Sequence, residues 1–389
     1  MASGVTMART ATARVEVRPA LLRWARERAS LESADLARRF PRLAEWESEE
    51  VCPTRKQLER FAKATRTPVD YLLLSEPPVE RVPIPDFRTG GNRRNDLPSP
   101  DLLDTVQLCR QRQQWYREFA RSQGDQPLSF VGSAKLNSDI EATAAAIRTA
   151  LGFDLEDRRK TWTDALRRLI QQADALGILV MVSGVVGNNN YRRLDADEFR
   201  GFALADDLAP LVFINGADSK AAQMFALAHE LAHLWLGRTA LSDVGPITAP
   251  THDVERWCSQ VAAELLVPLA VLRAEYEPGG DLRRGLNRLT RRFKVSTLVI
   301  LRRIHDAHGL TRDQLWQAYQ HELQRLGVKP RGGGGNFYLT QSARMGKRFA
   351  RALVASTLEG QTLHRDAFRL LGFSKLATLR EFGHRLGLI

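Results

Sequence analysis

The run FALAHELAHLWLG, residues 225–237, holds two histidines and a glutamate whose spacing could do chemistry. On a helix His229 and His233 stand one turn apart on the same face, so one cation can be held by both imidazoles. Glu230, next to the first histidine, is then placed to reach a water on the ion rather than the ion itself. That is the mechanical content of the H-E-x-x-H pattern: two ligands, and a carboxylate that takes a proton from water and later returns it to a leaving amine. Phe225, Leu227, Ala228, Leu231, Ala232, Leu234 and Leu236 make the helix strongly apolar, and Asp218 and Ser219 offer its N-cap.

A zinc site for hydrolysis wants three protein ligands and one open position. Residues 253–268, DVERWCSQVAAELLVP, read as a second helix with an apolar stripe through Trp257, Val261, Leu265 and Leu266, ended by Pro268. Glu255 lies in its first turn and Glu264 near its end. Either carboxylate could be the third ligand, and only one of them should reach the metal.

HELAH followed at Glu255 by E-x-x-x-x-x-x-A-A-E-L-L-x-P resembles the ImmA/IrrE family of zinc metallopeptidases. The resemblance implies His229, His233 and Glu255 as ligands of Zn²⁺, or of another divalent ion such as Mn²⁺, with Glu230 as the base. A first-turn carboxylate at 255 also suits the helix dipole. Glu264 is then the alternative ligand, or a helix carboxylate with a supporting role. Cys258 and Ser259 stand where the family often has Ala-Asn, and Gln223 where it often has Arg. Neither departure removes a ligand, but both bear on the groups that orient the ligands.

The elements that must position these residues can be read from their periods. After Gly177, the texts ILVMVS, FRGFALAD and APLVFIN read as three strands separated by GNNN and DDLAP. They deliver the chain into the His229 helix, and an exposed strand edge could pair with an extended substrate. Upstream, residues 100–123, 139–151 and 162–176 have the helical period of core helices. Downstream, LRRGLNRLTRRFKVSTLVILRRIHDAHGL reads as two helices broken at Val295-Ser296, a wall of the same domain. His305 and His308 have no carboxylate arranged around them and read as surface histidines.

Residues 19–74 resemble the helix-turn-helix domain of Xre/Cro-type repressors: an LLRWARE opening helix, SLESADLARRF, a WE followed by P-T, and LERFAKAT leading to Pro68. Between Leu36-Ala37 and Trp46-Glu47 the chain is shorter than the usual repressor text, at the turn and the start of the recognition helix. The remaining candidate, RLAEWESEE, carries Glu45, Glu47, Glu49 and Glu50, which phosphate would repel, and Arg42 is the one cation placed for a DNA contact. Sequence-specific DNA binding and a protein-interaction or dimerisation role both stay open for these helices.

The composition is that of an ordinary water-exposed protein: 43% apolar and 26% charged residues over 389 positions, enough for two or three domains. The net charge of +12 favours anionic partners without naming one. Cys52, Cys109 and Cys258 are odd in number and widely spaced, so a disulfide framework is not expected and a reducing cytoplasm is. The N-terminal text lacks the apolar core of a signal peptide, and no apolar run is long enough to span a bilayer, so no membrane role is expected. The GGGG at 332–335 lacks a following Lys-Ser/Thr and reads as a hinge rather than a phosphate loop. The segment after it carries nine Lys and Arg against three acids.

The expected fold is therefore α+β and mostly helical. A flexible arm (1–18) precedes a helix-turn-helix domain (19–75) and a Pro/Gly-rich linker (76–100), whose VPIPDFR reads as an extended strap. A zincin-like metallopeptidase domain with a small, mainly antiparallel sheet (101–330), a Gly hinge (331–335) and a basic helical C-terminal module (336–389) follow. The expected function is a zinc-dependent endopeptidase of the HExxH…E, gluzincin type, with His252 and Tyr276 as candidates for stabilising the oxyanion. The family resemblance implies a protein substrate such as a transcriptional repressor, in stress response, mobile-element control or a toxin-antitoxin pair. The alternative is a DNA-binding regulator or antitoxin-like protein whose metallopeptidase domain is a sensor or a toxin-binding surface. A protein encoded nearby, DNA and a second copy of the chain are the candidate partners.

Overall fold

The computed structural model describes residues 14–29, 31–88, 98–155, 161–242, 252–326 and 337–389. The expected arm up to residue 13, most of the Gly/Arg part of the linker and the GGGG hinge lie outside the described residues. The chain divides into two compact units: Met1–Val82 with Asn92–Asp104, and Pro83–Gly91 with Thr105–Ile389.

The first unit is built on α1 (Pro19–Arg28), α2 (Ser33–Arg39), α3 (Leu43–Glu47) and α4 (Arg55–Thr65), followed by a short 3₁₀ turn at Val69–Leu73. Its core is aromatic: Phe40 meets Phe61 edge-on at 5.6 Å, and Trp46 meets the same ring at 6.4 Å. Leu21, Leu22, Leu36, Leu58 and Leu72 fill the space around them. Thr54 and Gln57 close a reciprocal capping box at the start of α4, which satisfies two orphan amides at once. The short text between Leu36 and Trp46 has a direct outcome, since α3 is only five residues long.

The helix α5 (Pro100–Gln123) starts in the first unit and continues into the second, where α6 (Ile140–Leu151) and α7 (Trp162–Ala175) follow. The chain then forms β1 (Leu179–Ser183), β2 (Gly201–Leu204), β3 (Leu211–Asn215), α8 (Lys220–Trp235) and β4 (Ala240–Ser242). The order across the sheet is β1-β3-β2-β4. The sheet is mixed: β1 runs parallel to β3, while β2 is antiparallel to both β3 and β4. Two of the three pairings are antiparallel, in keeping with a mainly antiparallel sheet, and the β1–β3 pairing is the parallel exception. The strand β4 is not among the three expected strands, because three residues are too few to stand out as an apolar, β-branched run.

Ser219 caps α8 by accepting the Ala222 amide, and Ala and Leu then carry the helix at little conformational cost. From Gln223 to Trp235 every side chain is buried. Such a helix is apolar on all sides because it is covered on all sides, by β2, β3, α7 and α9 (Asp253–Leu266). Beyond Pro268 come α10 (Leu269–Glu275), α11 (Leu282–Phe293), α12 (Thr297–Asp306) and α13 (Arg312–Leu326). Their inner faces extend the same core through Leu289, Phe293, Ile300 and Ile304.

The C-terminal helices α14 (Phe337–Met345), α15 (Lys347–Leu358), α16 (His364–Leu371) and α17 (Leu376–Leu386) belong to this second unit as well. The junction between α14 and α15 sits on β1: a Cβ at Gly346, where φ is +76°, would stand 2.8 Å from the Val180 carbonyl oxygen. Only glycine allows that backbone and that approach together. Among the described residues no single helix is long and apolar enough to cross a membrane.

Candidate metal centre

Two helices bring three ligand-type side chains to one point. His229 and His233 project from the middle of α8, and Glu255 from the first turn of the packed helix α9. His229 Nε2 lies 3.0 Å from His233 Nε2 and 3.1 Å from Glu255 Oε2, while His233 Nε2 lies 3.0 Å from Glu255 Oε1. All three residues are buried, at 0%, 0% and 3% exposure, so bulk solvent does not reach them. Among the described residues this is the one His/Cys/Asp/Glu cluster with metal-ligand spacing.

The donor set fits a divalent ion. Two imidazole nitrogens facing each other at this distance need a proton between them, and the same two nitrogens also face the carboxylate. Protons cannot satisfy every one of these approaches at once, whereas one cation at their centre can. Ligands about 2.0–2.2 Å from a tetrahedral zinc stand roughly 3.3–3.6 Å from one another, a little wider than the spacing seen here.

The electrostatics agree with that fit. Burial alone would push the Glu255 carboxyl up, but the charge and hydrogen bonding of His229 and His233 outweigh it and hold the group below the usual carboxylate range. Burial also lowers His233, with the neighbouring His229 adding to the effect against the pull of Glu255, which favours the uncharged ring that a metal ligand presents. Burial keeps Cys258 a protonated thiol, and the carboxyl groups of Glu255 and Glu230 add to the effect. It behaves as a small core residue rather than a ligand.

Glu230, one residue on from His229, is 1% exposed. Burial raises its carboxyl well above the ordinary range and the nearby Glu255 raises it further, while the Ser242 hydroxyl draws it down only in part. Its Oε2 finds no hydrogen-bond partner among the described residues. On the opposite side stands Gly201 of β2, whose missing side chain leaves space for this carboxylate. A proton acceptor with a raised pKa and an unpaired oxygen beside the ligand set is what a general base requires.

Three neighbours of the cluster come from different elements. Ser259, on α9, places its hydroxyl 3.4 Å from His229 Nδ1, the nitrogen turned away from the cluster. Gly201 and Ser242 come from β2 and β4. No spacing in the sequence singles out either one; a glycine opening an otherwise apolar strand text was the one available signal.

The remaining candidates lie elsewhere. The Glu264 carboxylate pairs with Arg303 and accepts the Leu269 amide at 3.2 Å, closing the bend between α9 and α10. His252, just before α9, sets its ring edge-on to Phe87 at 5.3 Å. Tyr276 packs its ring against Gly309 on the helical wall. In the first unit Arg42 is half exposed and already paired with Glu45, at 2.6 Å.

Residues 173–305 match the family model Peptidase_M78, the IrrE N-terminal-like domain. The match contains His229, Glu230, His233 and Glu255; it supports the ImmA/IrrE family and a metallopeptidase of that type, which implies a divalent metal. Residues 345–385 match a second model, Domain of unknown function (DUF8813). No curated protein matches the chain.

Proposed function

We propose that this chain is a zinc-dependent endopeptidase acting on a protein, with His229, His233 and Glu255 as the ligands. The observation that carries the reading is the convergence of three buried ligand groups from α8 and α9 with a buried, raised carboxyl next to them. Zinc, when bound, supplies a Lewis acid that polarises a scissile carbonyl and makes water more acidic. Everything else falls to the side chains. The two rings and Glu255 hold the ion at a fixed point, and Ser259 steadies the His229 ring from behind. Glu230 accepts a proton at its carboxylate and returns it to the leaving amine. The apolar helices around it keep bulk water out, which strengthens each of these interactions.

The substrate we propose is a folded regulator such as a transcriptional repressor, encoded beside this chain. For the first unit we propose a protein-interaction role rather than groove reading. In support, α3 has five residues, Glu45 and Glu47 lie on it, and Arg42 is engaged by Glu45. A reducing cytoplasm fits the three free thiols. The test is co-expression with the products of neighbouring genes. Wild type should yield a defined fragment of one of them, and Glu230→Gln should yield none while retaining zinc. An unchanged effect in Glu230→Gln would overturn the enzymatic reading.

A further inference from the structure

The two outer strands of the sheet are treated differently. The outer side of β1 is filled by the junction of α14 and α15. The outer side of β4 is taken by residues 83–88, PIPDFR, which run parallel to it. One residue of β4 makes the pairing: the Leu241 amide donates to the Pro85 carbonyl at 2.9 Å, and its carbonyl accepts the Phe87 amide at 3.1 Å. Beyond those two bonds, Phe87 rests on His252, and Arg88 reaches Asp86 at 2.6 Å and Glu198 at 3.6 Å. None of the six strap residues is buried. Prolines at 83 and 85 have no amide to donate, so the ladder cannot lengthen in that direction.

This segment lies close to the chemistry at both of its contacts with Leu241 and His252. Leu241 precedes Ser242, the residue beside Glu230. His252 stands three positions before the ligand Glu255. An extended chain paired on Leu241 would use the same amide and carbonyl in either direction, so the strap and such a chain exclude each other.

We propose that the outer edge of β4, through Leu241, is the docking surface for an extended stretch of protein substrate, and that residues 83–88 hold this edge until substrate exchanges with them. The proposal rests on the endopeptidase reading for its purpose, but the exchange itself can be tested without turnover. A fluorescein-labelled peptide, VPIPDFR, is added to the full chain in its wild-type, Phe87→Pro and Phe87→Ala forms. Phe87→Pro removes the one strap amide that donates to Leu241, and Phe87→Ala removes only the ring contact with His252.

The peptide should bind Phe87→Pro roughly five- to ten-fold more tightly than wild type, the value of about one hydrogen bond. For Phe87→Ala the gain should be about three-fold, as for one lost aromatic contact. The Leu241 amide should exchange with deuterium faster in Phe87→Pro and be protected again by saturating peptide. Equal peptide affinity in all three forms with unchanged Leu241 exchange overturns the proposal, and Phe87→Ala decides it alone if Phe87→Pro fails to fold. Cleavage of β-casein by the same proteins separates the two readings. Casein cut equally by all forms, with equal peptide binding, removes the strap and keeps the peptidase. Peptide binding as expected with no cleavage of casein or of the neighbouring gene products keeps the docking edge and removes the peptidase.

Discussion

Gly201 on β2 and Glu230 on α8 face each other so closely that a Cβ on the glycine would stand 3.1 Å from Glu230 Oε1 and 3.2 Å from its Cγ. The same Cβ would come within 2.9 Å of the Phe213 carbonyl on β3, so the strand cannot simply slide away. The carboxylate thus has a slot defined by backbone on one side and by Ser242 near it.

Gly201→Ala should accordingly cost about 1–3 kcal/mol of stability, as overpacking does. Its zinc content should stay that of wild type, because the atoms nearest the new methyl group belong to Phe213 and Glu230 rather than to a ligand. Chemical denaturation and metal analysis on the same preparation check both halves.

The raised carboxyl of Glu230 makes a pH prediction for the metal-free protein. Between the ordinary value near 4.5 and the raised value in the folded chain, the folded state keeps a proton that the unfolded state has lost. Stability from this group is therefore complete at acid pH and falls as pH rises. Metal-free wild type and Glu230→Gln should melt alike at about pH 4, and the variant should melt higher at about pH 8. A pair of melting curves that stay parallel across this range would contradict the burial argument.

Glu264 and Arg303 form a buried ion pair that holds the α9–α10 bend, remote in role from the ligand set. Glu264→Ala takes one carboxylate from the buried Arg303 guanidinium, which keeps Asp306 at 3.3 Å and the Val267 carbonyl at 3.0 Å, and should cost about 1–3 kcal/mol. Zinc affinity should be unaltered in the folded fraction. Loss of zinc without loss of stability would instead make Glu264 a ligand.

The thiols divide by environment. Burial pushes Cys109 up to about 12 and Cys258 well above its ordinary value, whereas Cys52 is half exposed. A thiol reagent near neutral pH should label Cys52 quickly and the other two only after unfolding. Mass spectrometry of the labelled peptides reads the result directly.

Much of this site is legible in the sequence because its signal is local. His229 and His233 sit at helical spacing, Ser219 caps their helix, and Pro268 marks the end of the next one. The choice between Glu255 and Glu264 is not local: both lie on α9, and the packing of that helix against α8 turns one toward the imidazoles and the other toward Arg303. The three longer strands show as runs rich in β-branched and aromatic residues, but β4 is too short to do so, and the parallel pairing of β1 with β3 depends on contacts between distant segments. The prolines at 83 and 85 announce an extended strap. That its partner is Leu241 is a tertiary fact no period encodes.

The most direct test of the account is the zinc stoichiometry and affinity of the purified chain and its single variants, by elemental analysis and competition with a chelating dye. Wild type, Glu230→Gln and Glu264→Gln should each hold about one zinc per chain, the three ligands being untouched in all three. His229→Ala, His233→Ala and Glu255→Gln should bind at least about 100-fold more weakly, since each removes a ligand outright. A wild-type chain that takes up no zinc on titration, or a Glu255→Gln variant that binds as wild type does, would contradict the metal centre described here.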